Sequence, residues 1–323
     1  MRPPIGIGDL TMERSRGKHP HLRAVLYVAM LMIAFLLAGA AASIAMLLAA
    51  IAWFLAQGMT FGQATASAYV AVSTPWFTVP YLILQNILFL AVAAIFARIG
   101  DGKGRPLTKL GLTTPHKGTW FLAGAAASSA LGLATVAVLL LAGATQFEMT
   151  SVARFGAATT AASFLAFLVA SLFIGLGEEA LFRGCLQRFI ISRYGIAFGL
   201  AASSLIFAFA HTVTYDKPLP IIGVFLASAV MGYLFIATGS LWTSIGFHAA
   251  WDFLFLQIFS LGRPAIDLGS SPLFLFSAPG QVVVGGLVLG GWDDLAQAAL
   301  LLATLLLIYV YSHFKRRKAL ARQ

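Results

Sequence analysis

Long uncharged apolar runs alternate with short polar connections along nearly the whole chain. A helix needs about 20 such residues to cross a bilayer. The pattern predicts eight spans, at residues 24–56, 76–98, 119–144, 159–182, 196–212, 219–237, 242–261 and 295–313. The first is longer than a bilayer requires, so it should tilt, kink or protrude. Pro80 is placed to bend the second near its start. The segment QVVVGGLVLGGWDD, 281–294, is too short and glycine-rich for a span and reads as a re-entrant or interfacial piece. The apolar run after Arg23 continues to Phe54. A signal-peptide core is only about 7–15 residues long, so this reads as an uncleaved first helix. The expected organisation is a polar cytoplasmic tail (1–22), one transmembrane domain (23–314) and a basic cytoplasmic tail (315–323).

Composition supports this all-α, polytopic membrane reading. The chain is 60% hydrophobic and 10% charged, with a mean hydropathy of +0.90, whereas soluble domains carry about 25% charged residues. A single cysteine, Cys185, excludes an intramolecular disulfide and any metal cluster built on cysteine. The net charge of +10 raises the question of nucleic acid, and its distribution answers it. Eight spans put both termini on one side. Of the 21 Lys and Arg residues, only Arg154, Lys217 and Arg263 fall opposite, beside Glu148, Asp216, Asp267, Asp293 and Asp294. The positive-inside rule then places both termini in the cytoplasm. The basic excess is topology plus contact with anionic membrane lipid, and no nucleic-acid partner is needed. The alanine-rich composition points to a bacterial host, hence to the cell (inner) membrane. No internal repeat is evident, which counts against a transporter built from two similar halves.

Ionisable residues within spans are costly and tend to be functional. Here they are Glu178, Glu179, Arg183 at a border, His211, His248 and Asp252, all on spans four, five and seven. On a helix, residues i and i+4 share a face, whereas i and i+1 point about 100° apart. Glu179 and Arg183 are therefore expected to form a structural ion pair, which leaves the neighbouring Glu178 free for chemistry. Phe207 can pack beside His211, and His248 can act with Asp252. Glu178 and His211 lie at comparable distances, roughly 25 Å, from the turn at Arg193–Gly195, at 1.5 Å rise per residue. His248 reaches the same level if that hairpin protrudes into the cytoplasm. A carboxylate and an imidazole at one level can deprotonate a shared water as it attacks a carbonyl, and a second polar pair can hold the oxyanion. Alternatively, Glu178, His211, His248 and Asp252 are zinc-type donors. Both schemes hydrolyse a peptide.

The stretches EEALFR, FAFAH and HAAWD match Glu-Glu-x-x-x-Arg, Phe-x-x-x-His and His-x-x-x-Asn/Asp in that order on successive spans. So ordered, they resemble the CAAX protease and bacteriocin-processing (CPBP, or Abi) family of intramembrane endopeptidases, over about Gly175–Phe255. The resemblance implies a four-helix catalytic core, spans four to seven, at about 159–261. It implies that Glu178 activates water with help from His211, that His248 and Asp252 stabilise the oxyanion, and that Glu179, Arg183 and Phe207 are mainly structural. It implies a peptide or protein substrate. The favoured glutamate mechanism requires no cofactor, and zinc is the alternative. Asp252 stands where prenyl-protein members usually carry Asn. An ionised Asp cannot donate to an oxyanion, so Asp252 is expected to orient His248 or to favour a metal.

Other readings are weighed against this one. GIGD, 6–9, matches a Gly-x-Gly-Asp motif of aspartyl intramembrane proteases but lies in the polar tail, and no His-Glu-x-x-His occurs. A non-catalytic bacteriocin-immunity or peptide-export accessory protein is the alternative on the same scaffold, and a proton-coupled transporter is the third.

Overall fold

The computed structural model describes residues 20–72, 74–101, 106–212, 214–261 and 270–320. Nearly all of the expected N-terminal tail, including GIGD, lies outside the described residues, as do Arg263, Asp267 and the last three residues.

The described residues are predominantly helical. In order, the principal helices are α1 (Pro20–Ala56), α2 (Phe61–Ala71), α3 (Pro75–Asp101), α4 (Pro106–Lys109), α5 (Lys117–Leu141), α6 (Ser151–Phe155) and α7 (Ala157–Glu179). A π-helical segment, Ala180–Gln187, continues α7 without a break into α8 (Arg188–Tyr194). There follow α9 (Ile196–Ala210), α10 (Pro218–Thr238), α11 (Leu241–Phe253) with a π-turn at Leu254–Ile258, and α12 (Trp292–Leu320). Among the described residues, six helices are long and apolar enough to cross a membrane: those within 21–56, 75–99, 117–141, 157–194, 218–238 and 292–311. Their outward apolar side chains, such as Leu37 and Leu141, form the surface that lipid requires.

Two expected spans contain helices shorter than the six of membrane-crossing length. Helix α9 has 15 residues and α11 has 13. Helix α9 stops where its apolar run meets His211–Thr212, whereas the apolar run of α11 goes on past Asp252 and the chain stays helical through the π-turn to Ile258. The 281–294 segment is neither span nor re-entrant helix. It is an antiparallel hairpin of β4 (Gln281–Val284) and β5 (Leu287–Gly291), turned by Gly285 and Gly286 at positive φ. Helix α12 continues beyond the predicted limit of the transmembrane domain, through Leu320.

Contacts define two ends of the bundle. At the end carrying the start of α1, His21 lies 3.2 Å from the Tyr194 hydroxyl, and Tyr27 donates to the Phe96 carbonyl at 2.9 Å and stacks on Phe189. The α10–α11 turn belongs to this end too, since Trp242 donates to the Leu112 carbonyl at 2.9 Å. The hairpin turn after α8 therefore packs on the start of α1 instead of protruding alone. Helix α1, with 37 residues, and the continuous α7–α8 stretch, with 38, are both longer than the ~20 residues a bilayer requires. The opposite end carries a small sheet of β1 (Phe147–Thr150), β3 (Phe274–Phe276) and β2 (Phe259–Ser260), in the order β1-β3-β2, with β1 antiparallel and β2 parallel to β3.

Helix α11 is held by close backbone approach. A Cβ on Gly124 of α5 would lie 1.9 Å from the Thr243 carbonyl oxygen, and one on Gly246 would lie 2.0 Å from that of Phe121. Gly175 of α7 meets α11 in the same way, 2.9 Å from the Ile245 carbonyl oxygen. Small residues at such crossings let helices pack at backbone contact. Two residues past Gly246 comes His248.

Candidate active site

The π segment begins immediately after Glu179, so the two glutamates sit at an α-to-π junction. Single π-turns inside α-helices are frequent at functional sites. Arg183 bonds Glu179 Oε1 at 2.7 Å, and reaches α10 through the Ser228 hydroxyl at 2.7 Å and carbonyl at 3.2 Å. Its guanidinium lies 4.4 Å from the Phe207 ring centre. Arg183 is 1% exposed and Glu179 0%, a fully buried pair with further polar partners. Such pairs fix geometry and are expensive to break.

Glu179 also makes a contact that spacing along one helix cannot reveal. Its Oε1 lies 2.8 Å from His248 Nδ1. A carboxylate only accepts, so His248 donates from Nδ1 and presents Nε2 to the other side. The same device recurs at His211, whose Nδ1 lies 2.8 Å from the Phe207 carbonyl and must donate to it. Anchoring one ring nitrogen sets the tautomer and the direction of the other. Phe207 itself is 2% exposed. Its ring packs on Phe182, His211 and His248 at centroid distances of 4.9, 4.5 and 5.9 Å.

Both free imidazole nitrogens face Glu178. Glu178 Oε2 lies 4.0 Å from His211 Nε2 and 3.9 Å from His248 Nε2, and Asp252 Oδ2 lies 3.6 Å from His248 Nε2. These separations are too long for direct hydrogen bonds and suit groups that share a third partner. Glu178 Oε2 is buried and has no hydrogen-bond partner among the described residues. The structure thus gathers Glu178 of α7, His211 at the end of α9, and His248 and Asp252 of α11 into one cluster. The matched depths of Glu178 and His211 are met, and His248 reaches the same level.

Two imidazoles and two carboxylates are donors that zinc accepts. A tetrahedral zinc with bonds near 2.0–2.1 Å holds its donors about 3.3 Å apart. The cluster is more open than that. Among the described residues no group of three or more His, Cys, Asp or Glu side chains has the geometry to hold a metal. The donor chemistry fits zinc and the spacing does not.

Two cavities meet at the cluster. The larger, of about 510 Å³, runs between α1, α3 and α7 along apolar residues such as Phe35, Leu82 and Phe89. The smaller, of about 90 Å³, lies against α10 and α12. His211, His248, Trp251 and Asp252 line both. So do Tyr215 and Gln297, which the sequence reading missed. Gln297 is 6% exposed, and its Nε2 has no hydrogen-bond partner among the described residues. Its position is fixed by the start of α12, where Asp294 Oδ2 accepts the Gly291 N–H at 2.8 Å across the first turn. The signal was present as an amide near the head of an apolar run.

The family model described as "Type II CAAX prenyl endopeptidase Rce1-like" matches residues 160–254. No curated protein and no solved structure gives a significant match. The matched segment contains all seven motif residues from Glu178 to Asp252, and it agrees with the resemblance read from the three motifs. The match supports a CAAX-type intramembrane protease in general, a multi-pass membrane protein acting on peptide or protein.

Proposed function

We propose that the chain is an intramembrane endopeptidase in which Glu178 is the general base. The observation that carries this reading is the buried, unpartnered Glu178 Oε2, set 3.9–4.0 Å from two imidazole nitrogens whose other nitrogens are tied down. A water between Glu178 and His211 is held by the carboxylate and by His211 Nε2. Glu178 takes one proton as the water oxygen attacks the scissile carbonyl carbon. The carbonyl π pair moves onto oxygen, and His248, carrying both ring protons, donates from Nε2 to that oxyanion. The tetrahedral centre then collapses. The C–N bond breaks, and Glu178 returns its proton to the leaving amine. Glu179 aims His248 and Asp252 supports its positive charge. General-base catalysis of this kind contributes about 10²–10⁴-fold, and an oxyanion donor about 10²–10³-fold.

Gln297 is assigned to the substrate backbone. A buried amide with an unused N–H facing the reaction cavity is suited to a peptide carbonyl beside the scissile bond. The site is placed in the cell membrane with both termini cytoplasmic, on the charge distribution. The deciding experiment compares peptide termini in membranes of cells carrying wild type with those of cells carrying Glu178→Gln at equal expression. New termini confined to wild type are expected. Identical termini in the two, with a wild-type phenotype retained by Glu178→Gln, would favour the immunity or export-accessory reading instead.

A further inference from the structure

Both cavities extend toward one end of the bundle, and the larger is also lined by the exposed Leu36 of α1. At that end they are lined by Thr214 and Tyr215 after α9, Leu219 and Pro220 at the start of α10, and Asp294 and Gln297 at the start of α12. All six belong to the end that carries the sheet and the hairpin, opposite the start of α1. Toward the other end the site is closed. Phe182 and Phe207 form its floor, and beneath them Leu110, Leu181, Leu186, Leu241 and Ile245 are 0–1% exposed in one continuous core. Nothing as wide as a peptide passes through a core packed to that degree.

The charge distribution says which end this is. The end with the start of α1 carries Arg23, Arg98, Lys109, Lys117 and Arg193, whereas the rim end carries Glu148, Asp216, Asp293 and Asp294 against Arg154 and Lys217. Juxtamembrane Lys and Arg stay on the cytoplasmic side. We infer that the reaction cavity is entered from the non-cytoplasmic face, and that the substrate is a polypeptide segment exposed on that side: a translocated peptide, or the outer loop or juxtamembrane stretch of a membrane protein. A C-terminal tail presented from the cytoplasm would meet the closed core. This inference takes the protease reading as given and adds the side from which substrate arrives.

The test has two arms on the full-length protein in cells. The first is labelling with a membrane-impermeant maleimide. The native Cys185 is fully buried, so wild type supplies a quiet background. Asp216, with its side chain 83% exposed, and Lys117, also exposed, are each replaced singly by Cys. Asp216→Cys should label in intact cells (with the outer envelope opened where there is one), and Lys117→Cys only after the membrane is permeabilised. The opposite pattern overturns the inference. The second arm maps the Glu178-dependent termini onto their parent proteins. Termini on non-cytoplasmic segments support the inference, and termini on cytoplasmic segments overturn it while leaving the protease reading intact. If no termini depend on Glu178, the protease reading fails, and the labelling pattern alone still decides which face the cavity opens to.

Discussion

Glu179 is fully buried, bonded at 2.7 Å to Arg183 and at 2.8 Å to His248. Glu178, one residue earlier, is 15% exposed and comes no nearer than 3.9 Å to either histidine. The two mark the boundary between two regions. Below them lies a floor built on the Glu179–Arg183 ion pair, with Arg183 bridging to Ser228 and lying over Phe207. Above them lies a cavity whose ionisable side chains keep between 7% and 25% of their surface. A helix turn of about 100° per residue is enough to place adjacent carboxylates in these two settings. The floor spends its charges on each other and holds shape; the cavity leaves a carboxylate uncommitted, which is what proton transfer needs. The same partition separates the side chains that aim from those that react.

Substitutions at each side of the boundary should therefore fail differently. The largest expected effect is Glu178→Gln, which should lower cleavage by about 10²–10⁴-fold with no loss of folded protein, measured as Glu178-dependent termini and by size-exclusion profile in detergent. Arg183→Ala should do the converse. It leaves Glu179 buried without its cation, at a cost of about 3–5 kcal/mol, read as a fall in midpoint of thermal unfolding. An Arg183→Ala protein as stable as wild type would erase the distinction between floor and cavity. Asp252→Ala should lower kcat by about 10²-fold, as loss of oxyanion support does. Asp252→Asn should stay within roughly tenfold of wild type, because an amide can itself donate to the oxyanion. The mildest change is Gln297→Ala, for which a rise in KM of roughly 3–10-fold at nearly constant kcat corresponds to one substrate hydrogen bond. A fall in kcat alone would remove Gln297 from substrate binding.

Much of this was legible before the structure. Apolar runs located the long helices because bilayer thickness imposes their length. Ionisable residues inside those runs pointed to the cluster because their burial is so costly. The i, i+4 rule found the Glu179–Arg183 pair at its observed contact. What escaped has physical reasons as well. The Glu179–His248 bond joins residues 69 positions apart, and no spacing rule along one helix reaches it. The π segment after Glu179 inserts a turn without any change in residue type. The hairpin at 281–291 reads as an apolar run, and only the paired glycines at its tip hint at a turn. Gln297 was hidden because an amide carries no charge to mark it.

The central claim is that Glu178 is held for chemistry and Glu179 for structure. Measuring cleavage and thermal stability together, in wild type, Glu178→Gln and Glu179→Gln purified side by side, tests it most directly. The account predicts that Glu178→Gln loses cleavage and keeps or raises its unfolding midpoint, while Glu179→Gln lowers the midpoint as Arg183 loses its counter-charge. Cleavage retained in Glu178→Gln, or an unfolding midpoint unmoved in Glu179→Gln, would contradict it.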